Sequence, residues 1–278
     1  MTFITAHKGR WGVEPICRVL QVAPATYYAA TTRPPSARKL RDETLKGAIR
    51  CVFQEHQRVY GADKVWAQLK REGVRVARCT IERLMRELGL RGVVRGKTSV
   101  RTTFGDEAAD RPVDLVKRQF HAQAPDRLWL ADLTYVWTAS GFVYTAFVID
   151  AFSRRIVGWR VMASLRAELA LDALEMAIWA RGQPLIGLVH HSDRGVQYLA
   201  IRYTERLAEV EAVGSVGSKG DSFDNALAET VNGLYKAELI HRRGPWRTLE
   251  QVELATARWV AWWNADRIHS ACGEVPPA

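Results

Sequence analysis

Through the first 91 residues the apolar positions recur at helical spacing. Ile16, Val19 and Leu20 mark one short helix within 11–30. Val22-Ala23-Pro24-Ala25 predicts a turn, and Thr26 caps a second short helix carrying Tyr27 and Tyr28. Pro34-Pro35 predicts a linker, and a basic helix follows over about 38–54. The pattern is clearest over 60–91. Ala62, Val65, Trp66 and Leu69 line one helix, and Gly73 ends it. Thr80 caps a second, on which Ile81, Leu84, Met85 and Leu88 fall at i, i+3, i+4 and i+7 before Gly89. Two such helices across a short turn have the pattern of a helix-turn-helix.

From Arg91 to Asp110 the chain is rich in Gly, Thr and Arg and lacks apolar periodicity, as a linker does. Aromatic and β-branched runs then predict strands over 128–137, 142–150 and 155–162, an antiparallel meander. A helix is expected over 167–181, a short apolar strand over 185–190, a helix over 201–211, a strand over 212–216 and a last helix over 249–264. This order predicts an α/β layer fold with a mixed sheet. The domains expected are a basic helical region at 1–55, a helix-turn-helix at 56–95, a linker at 96–119 and a core at 120–278.

One helix, expected to begin near Ser222, has an unusual polar face. Asn225, Glu229, Asn232 and Lys236 follow at spacings of four, three and four and form one row. Phe223, Leu227, Val231 and Leu234 fall opposite. A solvated helix face carries Lys and Glu mixtures; two amides, one acid and one base suit contact with something specific.

Charge divides the chain in the same place as the pattern. Residues 1–120 hold 24 Lys and Arg against 12 Asp and Glu, a net +12; residues 121–278 hold 16 against 18, a net −2. Such asymmetry points to a nucleic-acid-binding front end. Arg75, Arg78, Arg83, Arg86 and Arg91, on or near the second helix of the pair, are the candidate DNA contacts. Apolar runs fall far short of a membrane span, so the chain reads as cytoplasmic and without membrane contact. Cys17, Cys51, Cys79 and Cys272 show no metal-ligand or redox spacing. Trp259, Trp262 and Trp263 could offer a stacking surface, but the four-residue interval between Trp259 and Trp263 favours helix packing.

Asp132 lies inside the first strand, Asp193 directly after another, and Glu229 on the helical row. A carboxylate in a buried strand is costly unless paired, hydrogen-bonded or metal-bound, and no Lys or Arg flanks Asp132. Three acids from three elements suggest a site for a hard divalent cation. Any one of them alone reads as a surface or capping carboxylate.

Taken together, Trp129-Leu-Ala-Asp132-Leu-Thr-Tyr-Val136, His190-His-Ser-Asp193-Arg-Gly195-Val-Gln-Tyr198 and Asp224-Asn225-Ala-Leu-Ala-Glu229 with Lys236 resemble the signature blocks of the retroviral-integrase-like insertion-sequence transposases. Sixty residues lie between Asp132 and Asp193 and 35 between Asp193 and Glu229. The tail Trp263-Asn264-Ala-Asp-Arg267-Ile-His269 and the helical pair from Tyr60 to Arg91 also match. The resemblance departs at Ala271-Cys272-Gly273, where the family usually carries Leu-Gly-Tyr.

The resemblance implies an RNase H-like catalytic core preceded by a helical DNA-binding region. It implies Mg²⁺-dependent cleavage and joining of DNA at element ends, with Mn²⁺ a substitute. Asp132, Asp193 and Glu229 would be the catalytic metal ligands, and Lys236 and Asn225 would contact DNA near the cut. Element-end and target DNA, a homo-oligomer and a first-frame partner protein or fusion are the expected partners. Two other readings are a catalytically inactive, DNA-binding relic and a related RNase H-like nuclease.

Overall fold

The computed structural model describes residues 1–96, 113–182, 185–193, 195–217 and 225–277. They fall into two compact units, Met1–Arg50 and Cys51–Ala278. In the first, α1 (Thr2–Trp11), α2 (Val13–Val19) and α3 (Pro24–Thr32) close on Ile4, Ile16, Cys17 and Tyr27. Helix α4 (Ala37–Glu55) carries the chain into the second.

The second unit opens with the expected helical pair, α5 (Ala62–Arg71) and α6 (Arg78–Glu87). Val65, Leu69, Ile81, Leu84 and Met85 are buried along its seam. Trp66 Nε1 donates to Val76 O at 2.9 Å and closes the turn. Both helices end as the glycines predicted, with Gly73 at φ 83° and Gly89 at φ 66°. Thr26 and Thr80 correct the sequence reading. Neither is a cap; they lie inside α3 and α6, whose N-caps are Ala23 and Ala77.

The core follows in the expected order: β1 (Leu128–Thr138), β2 (Gly141–Asp150), β3 (Ile156–Met162), α7 (Ala167–Arg181), β4 (Val189–Ser192), α8 (Ile201–Glu209) and β5 (Val213–Val216). Helix α9 (Ala226–Tyr235) continues through a π-helical turn, Lys236–Ile240, into a short α10 (His241–Arg243); α11 (Leu249–Ala265) comes last. The expected start of α9 near Ser222, and Phe223 with it, lies outside the described residues. The strands form one mixed sheet in the order β3-β2-β1-β4-β5. β1, β2 and β3 pair antiparallel, whereas β4 joins β1 and β5 in parallel. This is the RNase H-like mixed sheet that the resemblance implied.

Strand β4 is shorter than the sequence suggested. Leu185 and Leu188 are fully buried, but as a turn around Gly187 (φ 77°), with Leu188 N bonded to Leu185 O. Apolar content reported burial here, not strand pairing.

Helices cover both faces of the sheet. Trp129, Ala131, Ala146 and Val148 meet Leu169, Ala173, Leu174 and Ala177 of α7 and Tyr203 and Leu207 of α8. On the opposite face Phe147, Tyr235 and Trp259 pack edge to face or tilted, with centroids 5.0–6.0 Å apart. Trp259, Trp262 and Trp263 are buried, so packing is their role and base stacking is not. Among the described residues, no helix is long and apolar enough to cross a membrane.

Helix α7 lies so close to β3 that a Cβ on Gly158 would sit 2.0 Å from Ala173 O. Gly158→Ala is therefore expected to cost about 1–3 kcal/mol through overpacking. A denaturant melt measures this; an unchanged midpoint would show that α7 can draw back freely.

Candidate active site

Asp132 and Asp193 are brought together by strand register. β1 and β4 run parallel with Ala131 opposite Ser192, and the next residue on each is an aspartate. Neighbouring strands lie about 4.8 Å apart, and in-register positions on parallel strands project to the same face. Both acids thus occupy one row at the carboxyl end of β4, where α/β sheets place their sites.

Asp132 is buried and held from two directions. Its Oδ1 accepts from Leu133 N at 2.8 Å, and its Oδ2 accepts from Asn232 Nδ2 at 2.9 Å. Burial, then the charge of Asp193, then that of Glu229 raise its pKa well above the ordinary carboxylate range; the two hydrogen bonds oppose this. Asp193 is half-buried and accepts from Gly195 N at 2.9 Å, a tight turn directly after the strand.

Glu229 stands in the first turn of α9 and is the more exposed acid. Burial of its carboxylate and the charge of Asp193 raise its pKa, and Arg95 opposes them. Asp132 and Glu229 therefore each feel the charge of another acid. Among the described residues, no three His, Cys, Asp or Glu side chains form a ready-made metal cluster.

The polar row of α9 does not all face solvent. Asn225 and Asn232 are 4% and 8% exposed. Asn225 Nδ2 donates to Ala131 O at 2.9 Å, tying the start of α9 to β1 beside Asp132. Its amide nitrogen is thus engaged inside the fold. Lys236 caps α9, half-buried, with Nζ 4.4 Å from the centre of the Tyr135 ring. Burial lowers its pKa and the charge of Asp132 opposes that shift.

The helical pair presents its arginines in company. Arg78 pairs with Asp63 at 3.1 Å and Glu82 at 3.4 Å, Arg86 with Glu82 at 3.2 Å, and Arg83 with Glu87 at 2.7 Å. Arg75 and Arg91 are exposed. The acids interleaved on α6 temper the basic face that the charge count suggested.

Sequence reasoning left three neighbours of the site without a role. Asn232 lay in the polar row, but its bond to Asp132 needed the fold. Arg95 lies in the Gly-, Thr- and Arg-rich stretch after the helical pair, yet its Nη1 donates to Thr230 Oγ1 of α9 at 3.2 Å. Tyr198 is buried, and the charges of Asp193 and Asp132 act on its hydroxyl.

Residues 39–98 match an HTH-like domain, and residues 122–222 and 214–277 match the integrase core domain. These matches define an integrase-type protein, a class of polynucleotidyl transferases in general. The chain is 56% identical to the putative transposase for insertion sequence element IS986/IS6110 of Mycobacterium tuberculosis, over 93% of this chain and 94% of that one. It is 50% identical to the transposase for insertion sequence element IS629 of Shigella sonnei, over 100% and 94%. Among solved structures it is similar to the HTLV-2 integrase catalytic core domain in complex with magnesium, with TM-score 0.44 and 16% identity over 56% of this chain and 96% of that one. The chain belongs to the insertion-sequence transposases with an integrase core.

Proposed function

We propose that Asp132, Asp193 and Glu229 are the catalytic acids and hold Mg²⁺, or Mn²⁺ in its place, for cleaving and joining DNA at the ends of an insertion sequence. The observation that carries this reading is the parallel register of β1 and β4, which sets two aspartates side by side, with the charge of Glu229 acting on Asp132 and that of Asp193 on Glu229. The donor set suits a hard cation. Three carboxylates destabilise one another's charge, and the buried one has two hydrogen bonds from neutral groups to compensate. When bound, the cation activates the attacking oxygen and stabilises the leaving one.

The chain's own residues do the positioning. Asn232 fixes Asp132, Asn225 fixes the start of α9, and Lys236 offers a cation to a phosphate beside the acids. Arg75, Arg78, Arg83, Arg86 and Arg91 meet the phosphates of element-end DNA, with the α6 ion pairs exchanging partners on binding. Transposition holds two ends at once, so the working form is a homo-oligomer, assisted by a first-frame partner and acting at the nucleoid.

The test uses a duplex bearing the terminal repeats of the encoding element, with the first-frame product supplied. Glu229→Gln is expected to lower Mg²⁺-dependent cleavage and joining on the order of 10³-fold while DNA affinity holds. A variant as active as wild type would remove Glu229 from the chemistry.

A further inference from the structure

We infer that Arg95 is a positioning residue for the catalytic helix, reaching from the segment behind the helical pair to set Glu229. The inference rests on Glu229 being the third acid. Arg95 lies eight residues beyond the end of α6 (Glu87), in a stretch that the sequence marks only as a linker. Its side chain is laid along α9. Nη1 donates to Thr230 Oγ1 at 3.2 Å, and that hydroxyl donates in turn to Ala226 O at 2.7 Å. Thr230 directly follows Glu229, and Ala226 opens the same helical turn.

The contact needs a glycine. A Cβ on Gly233 would fall 2.6 Å from Arg95 Cδ and 3.4 Å from Cγ, so the missing side chain forms the slot in which the arginine stem lies. Glycine inside a helix costs roughly 1 kcal/mol relative to alanine. Here that cost admits the arginine. The slot and the hydrogen bond together make one device. The segment behind α6 holds the first turns of α9 in place, and with them the acid.

Gly233→Ala separates this role from a merely structural one. The substitution favours the helix, so melting temperature should hold or rise, yet the methyl group displaces Arg95. Cleavage of saturated DNA complexes is expected to fall roughly 10-fold or more, as small displacements of reacting groups do. Arg95→Gln should match it, and Arg95→Lys should recover little because a lysine lacks the planar fork. DNA affinity and its salt dependence should stay at wild-type values in all three. Wild-type cleavage in both Gly233→Ala and Arg95→Gln, with Glu229→Gln inactive, would overturn the role of Arg95 and leave the three acids standing. A salt slope reduced by about one in Arg95→Gln, with cleavage of the bound complex unchanged, would make Arg95 a phosphate contact and also overturn it. Full activity in Glu229→Gln would remove both readings.

Discussion

Asp132→Asn is expected to raise the melting temperature of the metal-free protein while abolishing strand cleavage. Asp132 is buried, and Asp193 and Glu229 add to the cost of its charge, so its folded pKa lies above the unfolded value. The sign follows from linkage. The ionised carboxylate imposes no penalty below the unfolded range, and the penalty grows as pH rises towards the folded value, by about 1.4 kcal/mol per unit. The amide removes that penalty, so the advantage of the variant should be small in acid and largest at neutral pH.

The site can receive an amide. Leu133 N still finds an oxygen, and Asn232 can turn over, because among the described residues its buried Oδ1 has no partner and would accept from the new amide. The rise should reach several degrees, at about 2–4 °C per kcal/mol for a domain of this order. Thermal melts from pH 4 to 8 measure it. Added Mg²⁺ should stabilise the wild type, by about 2.7 kcal/mol at a hundred times its dissociation constant, and leave the variant unmoved. Equal melting temperatures at pH 8, or equal Mg²⁺ shifts, would refute the account of Asp132 as a strained cation ligand.

Arg267→Met is expected to lower stability by about 3–5 kcal/mol without touching the acids. Arg267 and Glu238 are 3% and 5% exposed, with Nη2 and Oε1 2.7 Å apart and Nε within 3.3 Å of both carboxylate oxygens. The guanidinium also lies 4.4 Å from the Trp263 ring centre, and Trp259 Nε1 donates to Glu238 at 3.4 Å. Removing the cation leaves a buried carboxylate with little compensation. The double variant Glu238→Leu with Arg267→Met should recover much of the loss, since a well-packed apolar pair replaces a buried ion pair at little cost. Urea melts of the single and double variants decide this. A single variant within about 1 kcal/mol of wild type would show that water or Lys64 replaces the guanidinium.

The same cluster ties the helical pair to the core. Lys64 of α5 is pulled down to about 8 by burial, with Arg267 adding to that shift and Glu238 opposing it. Tyr60, fully buried ahead of α5, accepts from Ile268 N at 2.8 Å and stacks on His56 with centroids 4.3 Å apart.

Much of this was legible without coordinates because it depends on neighbours in sequence. The 3.6-residue period of α5 and α6, the glycine stops after them and the β-branched runs of β1 and β2 are local properties, and the structure repeats them closely. The three acids stood out through the family resemblance of the sequence blocks around them. Local pattern failed where burial and hydrogen bonding divide residues of one class. Leu185 and Leu188 are apolar because they are buried, not because they pair in the sheet. Asn225 and Glu229 share a helix face, yet one is bonded to β1 and the other stands exposed.

The sequence by itself therefore determined most of the elements and their order, which follow from side-chain periodicity, and nominated the candidate acids through the resemblance of the three blocks that carry them. Tertiary structure alone decided the parallel pairing that places Asp132 beside Asp193, the amide of Asn232 on Asp132, and the slot at Gly233 that receives Arg95. Those contacts join residues 61, 100 and 138 positions apart, and no local pattern encodes which distant partners a register or a missing side chain will bring within reach.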